Sequence, residues 1–192
     1  MISSKIGHSL DPLIFGIYSL FFKNKSINPN ILTICGVPFG IATAVSIAFD
    51  QFITGAVLLV ISGFMDLMDG AVARHTNQVT VFGGFFDSVL DRYVDLFIMF
   101  GIFIHYLKCG EDLYSIIVFI ASIGTAIIPY AKARAESSSL SCNTGLLERS
   151  ERLIIIFIGL SFNVLEYAVI VLAVLTHFTV IQRIFFVKKN RQ

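Results

Sequence analysis

Long apolar stretches alternate with short polar or charged segments along the chain. Six of these stretches read as helices, at approximately residues 31–49, 53–74, 80–107, 113–134, 148–162 and 164–186. About 20 residues of α-helix cross the hydrocarbon core of a bilayer, and the fifth stretch is the shortest of the six. The pattern predicts six transmembrane helices. The longest polar connection, from Glu136 to Glu148, is a loop of ordinary length.

The first part of the chain has an amphipathic pattern instead. Its apolar residues recur every three or four positions, at Ile2, Ile6, Leu10, Leu13, Ile17 and Phe21. Charged residues such as Lys5 and Asp11 interrupt them, which favours a helix lying in the membrane interface with its apolar face inward. We therefore expect an all-α integral membrane protein with a single domain over residues 1–192. It consists of an interfacial helix in 1–27 and a bundle of six transmembrane helices in 28–192.

Composition and charge place the chain in a membrane and orient it. Hydrophobic residues make up 56% of the sequence and charged residues 14%, whereas soluble domains carry about 25% charged residues. All Lys and Arg residues except Lys108 fall on one side of the predicted spans, and cytoplasmic segments are enriched in these residues. We expect a multi-pass protein of the cell membrane, with both termini and the active site on the cytoplasmic side.

The cysteines and histidines form no recognisable metal-binding motif. Cys35, Cys109 and Cys142 are far apart and lack the spacing of paired metal ligands. The four histidines are equally scattered. We therefore predict free thiols, assign no chemistry to the histidines and expect no nucleic-acid partner.

Carboxylates within the second and third apolar stretches are the main anomaly. Five aspartates lie inside these stretches or at their ends: Asp66, Asp69, Asp87, Asp91 and Asp95. One aspartate at the centre of a membrane helix costs about 2.5–3.5 kcal/mol, so five of them require compensation, which a divalent cation would supply. A single such residue also occurs in helix–helix hydrogen bonds or in proton and cation paths. The interpretation therefore depends on the whole ordered set.

The spacing of these residues places them on one side of each helix. With about 100° per residue, one arc of ~140° on the second helix contains Asp66, Asp69, Gly70, Ala73 and Arg74. A single stripe of the third helix, stepping by four residues, contains Gly83, Asp87, Asp91 and Asp95. Because the connection from His75 to Thr80 is short, we expect antiparallel neighbouring helices with facing carboxylates. Such all-oxygen ligands favour Mg²⁺ or Mn²⁺ over Zn²⁺.

Two motifs carry a resemblance to a known family. The stretch Asp66-Leu-Met-Asp69-Gly70-Ala-Val-Ala73-Arg74 is followed, after eight residues, by Gly83-xxx-Asp87-xxx-Asp91. This pattern resembles the signature of the CDP-alcohol phosphotransferases, with every defining position filled. In addition, Pro29-Asn30-Ile-Leu-Thr33 resembles the element that opens the first span of that family. Together with the six predicted spans, the likeness covers essentially the whole chain.

The resemblance implies an enzyme in which a hydroxyl acceptor displaces CMP from a CDP-linked lipid. It implies two Mg²⁺ or Mn²⁺ ions per site, with metal ligands at Asp66, Asp69, Asp87 and Asp91. Asp91 is also the implied general base. Implied nucleotide contacts are Asn30, Thr33, Asp69, Gly70, Ala73, Arg74 and Gly83. The implied partners are a CDP-lipid donor, a small phosphorylated alcohol, membrane lipid and a second copy of the chain in a homodimer.

Basic residues near the cytoplasmic ends of the last three predicted spans form a second candidate group: Lys132, Arg134, Arg149, Arg152 and Arg183. Arginine matches phosphate because it donates two parallel hydrogen bonds. Basic residues here also satisfy the positive-inside pattern and contact anionic headgroups without binding a substrate. The segments resemble those of the phosphatidylinositol-phosphate synthase branch, bacterial or archaeal. That resemblance implies that these residues hold the phosphate of inositol phosphate.

Several alternatives stay open at this point. Glycerol 3-phosphate is also an anionic acceptor, and either CDP-diacylglycerol or CDP-archaeol suits a generic apolar surface as donor. A cation transporter would also have intramembrane carboxylates, although it leaves the spacing of Ala73, Arg74 and Gly83 unexplained. A purely structural membrane protein gives no reason for five costly aspartates.

Overall fold

The computed structural model is all-helical, and it describes Ile14, Gly16, Tyr18 and residues 28–142 and 144–190. Within these residues there are six long helices: α1 (Pro29–Ala48), α2 (Phe52–His75), α3 (Val81–Lys108), α4 (Asp112–Glu136), α5 (Arg149–Ser161) and α6 (Leu165–Asn190). Their bounds agree with the six apolar stretches to within a few residues. The turn between α5 and α6 contains Asn163, whose φ of 54° ends the helical path.

Four of the six helices are long and apolar enough to cross a membrane, whereas the sequence predicted six spans. These are α1, α2, α4 and α6, with mean hydropathies of 2.0, 1.8, 1.9 and 2.0. Helix α3 has 28 residues but carries Asp87, Asp91 and Asp95 within its first 15 residues. Helix α5 has only 13 residues and rises about 20 Å. The predicted interfacial helix in residues 1–27 lies outside the described residues, apart from three helical positions.

Side-chain caps fix where two of the helices begin. At the start of α3, Oγ1 of Thr80 accepts a hydrogen bond from the backbone N–H of Gly83 at 2.9 Å. At the start of α5, Oε2 of Glu151 accepts from the backbone N–H of Glu148 at 3.1 Å, as in a capping box. The cap on α3 lies less than two turns before Asp87, so it sets the height of that carboxylate in the bundle.

Helix α1 packs extensively against both α2 and α3, while α4 packs against α3 and α6, and α5 against α2 and α6. Small residues permit the closest crossings. A Cβ added to Gly101 of α3 would overlap the backbone of Ala44 in α1, and one added to Gly124 of α4 would overlap the side chain of Thr176 in α6. Such contacts are typical of helix bundles in membranes. The expected facing of α2 and α3 is therefore organised by α1, which holds both.

Two buried clusters support the bundle at different heights. The larger cluster joins several helices through residues such as Ile98, Ile102, Val118 and Leu172. The smaller cluster contains Ile14, Tyr18, Leu32, Met68, Ala71 and Val72. Met68 and Val72 belong to the same helical turns as Asp69. This second cluster therefore packs behind the acidic face of α2.

The outer surface carries many large apolar side chains, as expected for helices surrounded by hydrocarbon. Phe100, Ile116 and Phe162 are each more than half exposed. An apolar surface of this extent is abnormal for a soluble monomer. The surface and the four apolar helices are those of a membrane protein.

Candidate active site

Three carboxylates from two helices meet in one group. Asp66 and Asp69 of α2 and Asp87 of α3 each place an oxygen within 4.8 Å of the other two. The i,i+3 spacing puts the first two on one face of α2, and α1 holds α3 at the distance from which Asp87 reaches them. The group therefore assembles as the spacing of the aspartates predicts.

The group has the properties of a site for a hard divalent cation. Its donors are all carboxylate oxygens, the ligands that Mg²⁺ and Mn²⁺ prefer. Oδ2 of Asp69 and Oδ1 of Asp87 are buried without a hydrogen-bond partner among the described residues. A buried acceptor without a partner costs about 1–3 kcal/mol, and more when charged. A cation would satisfy these oxygens, so the residues present fit a metal ion.

Asp91 lies beside this group and contacts an arginine. Its Oδ1 is 2.9 Å from Nη1 of Arg149, and the same Nη1 lies 2.6 Å from Oδ2 of Asp66. Arg149 is the first residue of α5, so the guanidinium reaches the acidic face from a third helix. The sequence predicted Asp91 as a fourth ligand and as the general base. The structure places it next to the three-carboxylate group, in an ion pair with Arg149.

A cavity of about 290 Å³ opens next to the carboxylates. All seven residues predicted to contact the nucleotide line it: Asn30, Thr33, Asp69, Gly70, Ala73, Arg74 and Gly83. Asp87 also lines the cavity, so two of the three grouped carboxylates form part of its wall. The cavity is large enough for a nucleotide-sized polar group, and a carboxylate group lies at its edge.

Two glycines keep this cavity open. A Cβ added to Gly83 would lie 3.0 Å from Oγ1 of Thr80 and 3.2 Å from Oδ1 of Asn30. A Cβ added to Gly70 would lie 3.1 Å from Nη1 of Arg74. These distances are shorter than ordinary van der Waals contact. A side chain at either position would displace polar groups that face the cavity.

Sequence reasoning missed several lining residues. Gln78, Val79 and Thr80 also border the cavity, and they belong to the short connection between α2 and α3. The available signal was the position of Thr80, a good N-cap residue immediately before an apolar helix. The connection between the two halves of the motif therefore contributes to the site as well as joining the helices.

The five predicted acceptor-binding residues do not all meet. Arg149 contacts the carboxylates, and Arg152 is 4% exposed and lies 2.6 Å from Oδ2 of Asp95. Arg183 is buried and donates hydrogen bonds to the carbonyl oxygens of Thr144 and Ile128.

The other two predicted residues, Lys132 and Arg134, lie at the end of α4. Neither has a contact with the aspartates of the site among the residues that the structure describes. Lys132 is half-buried, and Arg134 is exposed, with a donated hydrogen bond to Ser137. Arg134 and Arg183 line a separate, mainly apolar groove between α4 and α6. The basic group is thus divided between two regions of the bundle.

A second group with metal-ligand atoms lies at the opposite end of α3. Asp50, His105 and Cys109 place one potential ligand atom each within 4.8 Å of the others. No chemistry was predicted for these residues; Asp50 lies 55 residues before His105, whereas His105 and Cys109 are four residues apart on α3. Nδ1 of His105 contacts Oδ1 of Asp50 at 2.5 Å, so these side chains already satisfy one another. The contact joins the α1–α2 turn to the end of α3.

Comparison with known proteins places this fold and site in a family. The profile of the CDP-alcohol phosphatidyltransferases matches residues 26–187. The chain belongs to the CDP-alcohol phosphatidyltransferase family and is a phosphotransferase. This membership confirms the enzyme interpretation and decides against the transporter and the purely structural protein that the sequence alone left open.

Similar proteins act in one branch of that family. The chain is 37% identical to the archaetidylinositol phosphate synthase of Pyrococcus horikoshii, over 85% of each chain. It is 32% identical to the phosphatidylinositol phosphate synthase of Mycolicibacterium smegmatis, over 85% of this chain and 79% of that one. The crystal structure of the phosphatidylinositol phosphate synthase of Mycobacterium tuberculosis with CDP-DAG bound matches with a TM-score of 0.79. It is 28% identical over 92% of both chains. A second structure of that enzyme, with the same TM-score, contains manganese and citrate.

Proposed function

We propose that this enzyme transfers a phosphatidyl-type group from a CDP-lipid to a hydroxyl of inositol phosphate and releases CMP. The observation that carries the proposal is the junction of the 290 Å³ cavity, the carboxylate group and the guanidinium of Arg149. The cavity can hold the nucleoside diphosphate group of the donor, and the arginine can form an ion pair with a second, anionic substrate. The names of the similar enzymes support this assignment, since both substrates of a phosphatidylinositol phosphate synthase are anionic.

The donor side is assigned to α1, α2 and α3. Asn30, Thr33, Gly70, Ala73, Arg74 and Gly83 line the cavity and are proposed to surround the cytidine and its phosphates. Asp66, Asp69, Asp87 and Asp91 are the proposed ligands of two Mg²⁺ or Mn²⁺ ions. Such ions, when bound, neutralise a pyrophosphate and stabilise the attacking and leaving oxygens. The manganese in the structure of the mycobacterial enzyme supports a divalent-cation requirement.

Asp91 is the proposed general base. It lies less than three turns after the cavity-lining Gly83 and beside Asp87 on the same stripe of α3. In the proposed step, its carboxylate accepts the proton of the acceptor hydroxyl as the oxygen bonds to the lipid-linked phosphorus. The phosphoanhydride bond breaks and CMP leaves with the bridging oxygen. A carboxylate is suited to this transfer when it lies within hydrogen-bond reach of the hydroxyl.

The acceptor side is assigned to Arg149, with its surroundings on α4, α5 and α6. Of the five predicted basic residues, Arg149 is the one that contacts Asp66 and Asp91, and its side chain is 18% exposed. Arg183, Lys132 and Arg134 remain proposed contributors to the binding of the acceptor phosphate, and Arg152 is a proposed indirect contributor, since it is buried beside Asp95. Glycerol 3-phosphate would present the same anionic group, so inositol phosphate is favoured by the names of the relatives rather than by charge.

We also propose the membrane arrangement that this chemistry needs. In it, all six helices cross the bilayer, with α3 contributing about 42 Å of length and α5 packed between α2 and α6. Both termini and the carboxylate group face the cytoplasm, because the basic residues cluster there. The functional unit is a homodimer. The amphipathic first 27 residues lie at the interface between membrane and water.

The experiment is release of CMP by purified protein with CDP-diacylglycerol or CDP-archaeol, with and without Mg²⁺ or Mn²⁺. Inositol 1-phosphate and glycerol 3-phosphate are supplied separately as acceptors. The proposal requires metal-dependent CMP release that is fastest with inositol 1-phosphate. Turnover with glycerol 3-phosphate alone would overturn the proposed acceptor and keep the reaction class.

A further inference from the structure

Asp95 is a buried carboxylate outside the motif residues, and it joins two arginines of another helix. It lies one turn beyond Asp91 on α3 and is 7% exposed. Its Oδ2 is 2.6 Å from Nη2 of Arg152, and its Oδ1 is 3.4 Å from Nε of Arg149. Each oxygen therefore serves a different guanidinium of α5. Through Arg149, the same network reaches Asp66 and Asp91.

The two arginines differ in what else they can reach. Arg152 is 4% exposed and borders a small closed space shared with Asp95, Thr125 and apolar side chains. Arg149 instead borders a space shared with Asp66, Asp69 and Asp91, next to the donor cavity. The guanidinium of Arg149 therefore lies beside the aspartates of the proposed active site. The guanidinium of Arg152 lies farther from them, behind Asp95.

Charge explains why the three residues form a unit. A buried ion pair is costly to break because removal of one partner leaves an uncompensated charge. Asp95 carries one negative charge against two guanidiniums. The second positive charge, at Arg149, is met by Asp66 and Asp91, so an anionic substrate reaches Arg149 by replacing these carboxylates at its Nη groups. An arginine has five N–H donors, and the Nε contact with Asp95 leaves both Nη groups for other acceptors.

We propose that Asp95 is a positioning residue, which holds Arg149 through Nε so that its Nη groups receive the phosphate of the acceptor. Arg152 neutralises the buried carboxylate from behind and acts through it. Arg149 then keeps its position when Nη1 leaves Asp66 and Asp91 for the substrate. This inference rests on the proposed function, in that it assumes a phosphorylated acceptor, but it holds for inositol phosphate and glycerol 3-phosphate alike.

The test uses the full-length protein and measures acceptor KM, donor KM and thermal unfolding for Asp95→Asn, Arg152→Gln and the double variant. We expect Asp95→Asn to raise the acceptor KM about tenfold, because a hydrogen bond to a charged group is lost. The donor KM should stay within about twofold. Asp95→Glu, which retains the charge, should recover part of the acceptor KM.

The double variant separates positioning from a merely structural role. Each single variant leaves an unpaired buried charge, so both should lower the unfolding temperature, whereas the double variant should recover it because both partners are then neutral. The acceptor KM should not recover, and the two single effects on it should be non-additive. Recovery of KM together with stability would overturn the inference. Fully additive effects on KM would also overturn it, because Arg152 would then act independently of Asp95.

Tyr106→Phe is the matched control. Tyr106 is a buried residue of the same helix whose hydroxyl has no hydrogen-bond partner among the described residues, and its removal should leave both KM values unchanged.

The failure of this inference is distinguishable from that of the proposed function. A wild type that uses neither phosphorylated acceptor would contradict both. A wild type that uses either one, with an unchanged acceptor KM in Asp95→Asn, would contradict the inference alone.

Discussion

The proposed donor and acceptor sides of the carboxylate group differ in how they are built. The donor side is an open cavity of about 290 Å³, with glycines on its wall. At its edge are two buried carboxylate oxygens that lack hydrogen-bond partners among the described residues. The acceptor side has a space of only about 10 Å³ next to Arg149, and the guanidinium of Arg149 is already paired with Asp66, Asp91 and Asp95. The donor side thus has room and unused hydrogen-bond acceptors, whereas binding of a substrate on the acceptor side would require Arg149 to exchange its ion-pair partners.

This difference has a physical consequence for the two kinds of substitution. In the open cavity, added volume is harmful because it displaces groups that face the substrate. In the paired region, a lost charge is harmful because the remaining partners are buried without compensation.

The largest effect is expected at the carboxylates shared by both sides. Asp87→Asn should lower kcat by about 10³-fold or more, because a ligand of the proposed ions is lost and charge on the transferring group is no longer stabilised. Addition of EDTA to the wild type should have a similar effect, reversed by Mn²⁺ or Mg²⁺. Release of CMP is the measurement. Asp112→Asn, an exposed substitution at the start of α4, is the control and should retain full turnover.

Arg149→Lys tests the acceptor side. Lysine keeps the charge but cannot contact Asp95, Asp66 and Asp91 with one planar group. We expect the acceptor KM to rise by about tenfold to a hundredfold, with a smaller change in donor KM. Lys188→Gln is the comparison, since Lys188 is an exposed basic residue in the last turn of α6. An equal rise in acceptor KM for both variants would contradict the assignment of the acceptor side to Arg149.

Gly83→Ala tests the donor side. The new Cβ would press on Thr80 and Asn30 at 3.0 and 3.2 Å, so we expect a rise of about tenfold in the donor KM with the acceptor KM unchanged. Gly63→Ala on α2 is the control, because its Cβ would meet only one atom, at 4.0 Å. Steady-state kinetics with varied CDP-lipid give the answer. A rise confined to the acceptor KM would show that the cavity is assigned to the wrong substrate.

The smallest effect is expected at the far end of α3. Asp50→Asn removes the carboxylate that contacts Nδ1 of His105 in an exposed turn, and contacts of this kind at the surface contribute about 0–1 kcal/mol. We therefore expect a loss of at most about 1 kcal/mol in the free energy of unfolding and unchanged turnover. Thermal unfolding and CMP release are the measurements. Lost turnover in a folded variant would mean that the two ends of α3 are functionally coupled.

Local spacing allowed much of the donor side to be predicted. Asp66 and Asp69 share a helical face, and Asp87 follows a short connection, so their meeting depends on geometry within about 20 residues. The same holds for Gly70, Arg74 and Gly83, which line one cavity. The bounds of all six helices also followed from hydropathy, because apolar stretches of this length form few other structures in a membrane.

Contacts between distant segments could not be predicted in this way. Arg149 reaches Asp66 because α5 packs against α2, and no pattern along the chain specifies that packing. The basic residues were predicted to share one end of the bundle, but Arg134 and Arg183 line a different groove from the one that Arg149 borders. Asp50 and His105 meet only because α1 and α3 are adjacent. Charge sign placed the basic residues at one end of the bundle without specifying their partners.

The most direct test of the account is a competition experiment with the purified enzyme, CDP-lipid and Mn²⁺, in which inositol 1-phosphate and glycerol 3-phosphate are supplied together at equal concentration. Mass spectrometry of the lipid product identifies which acceptor was used. The account predicts a phosphoinositol lipid as the main product in the wild type, and loss of that product in Asp87→Asn. A phosphoglycerol lipid as the main product, or product formation that persists in Asp87→Asn, would contradict it.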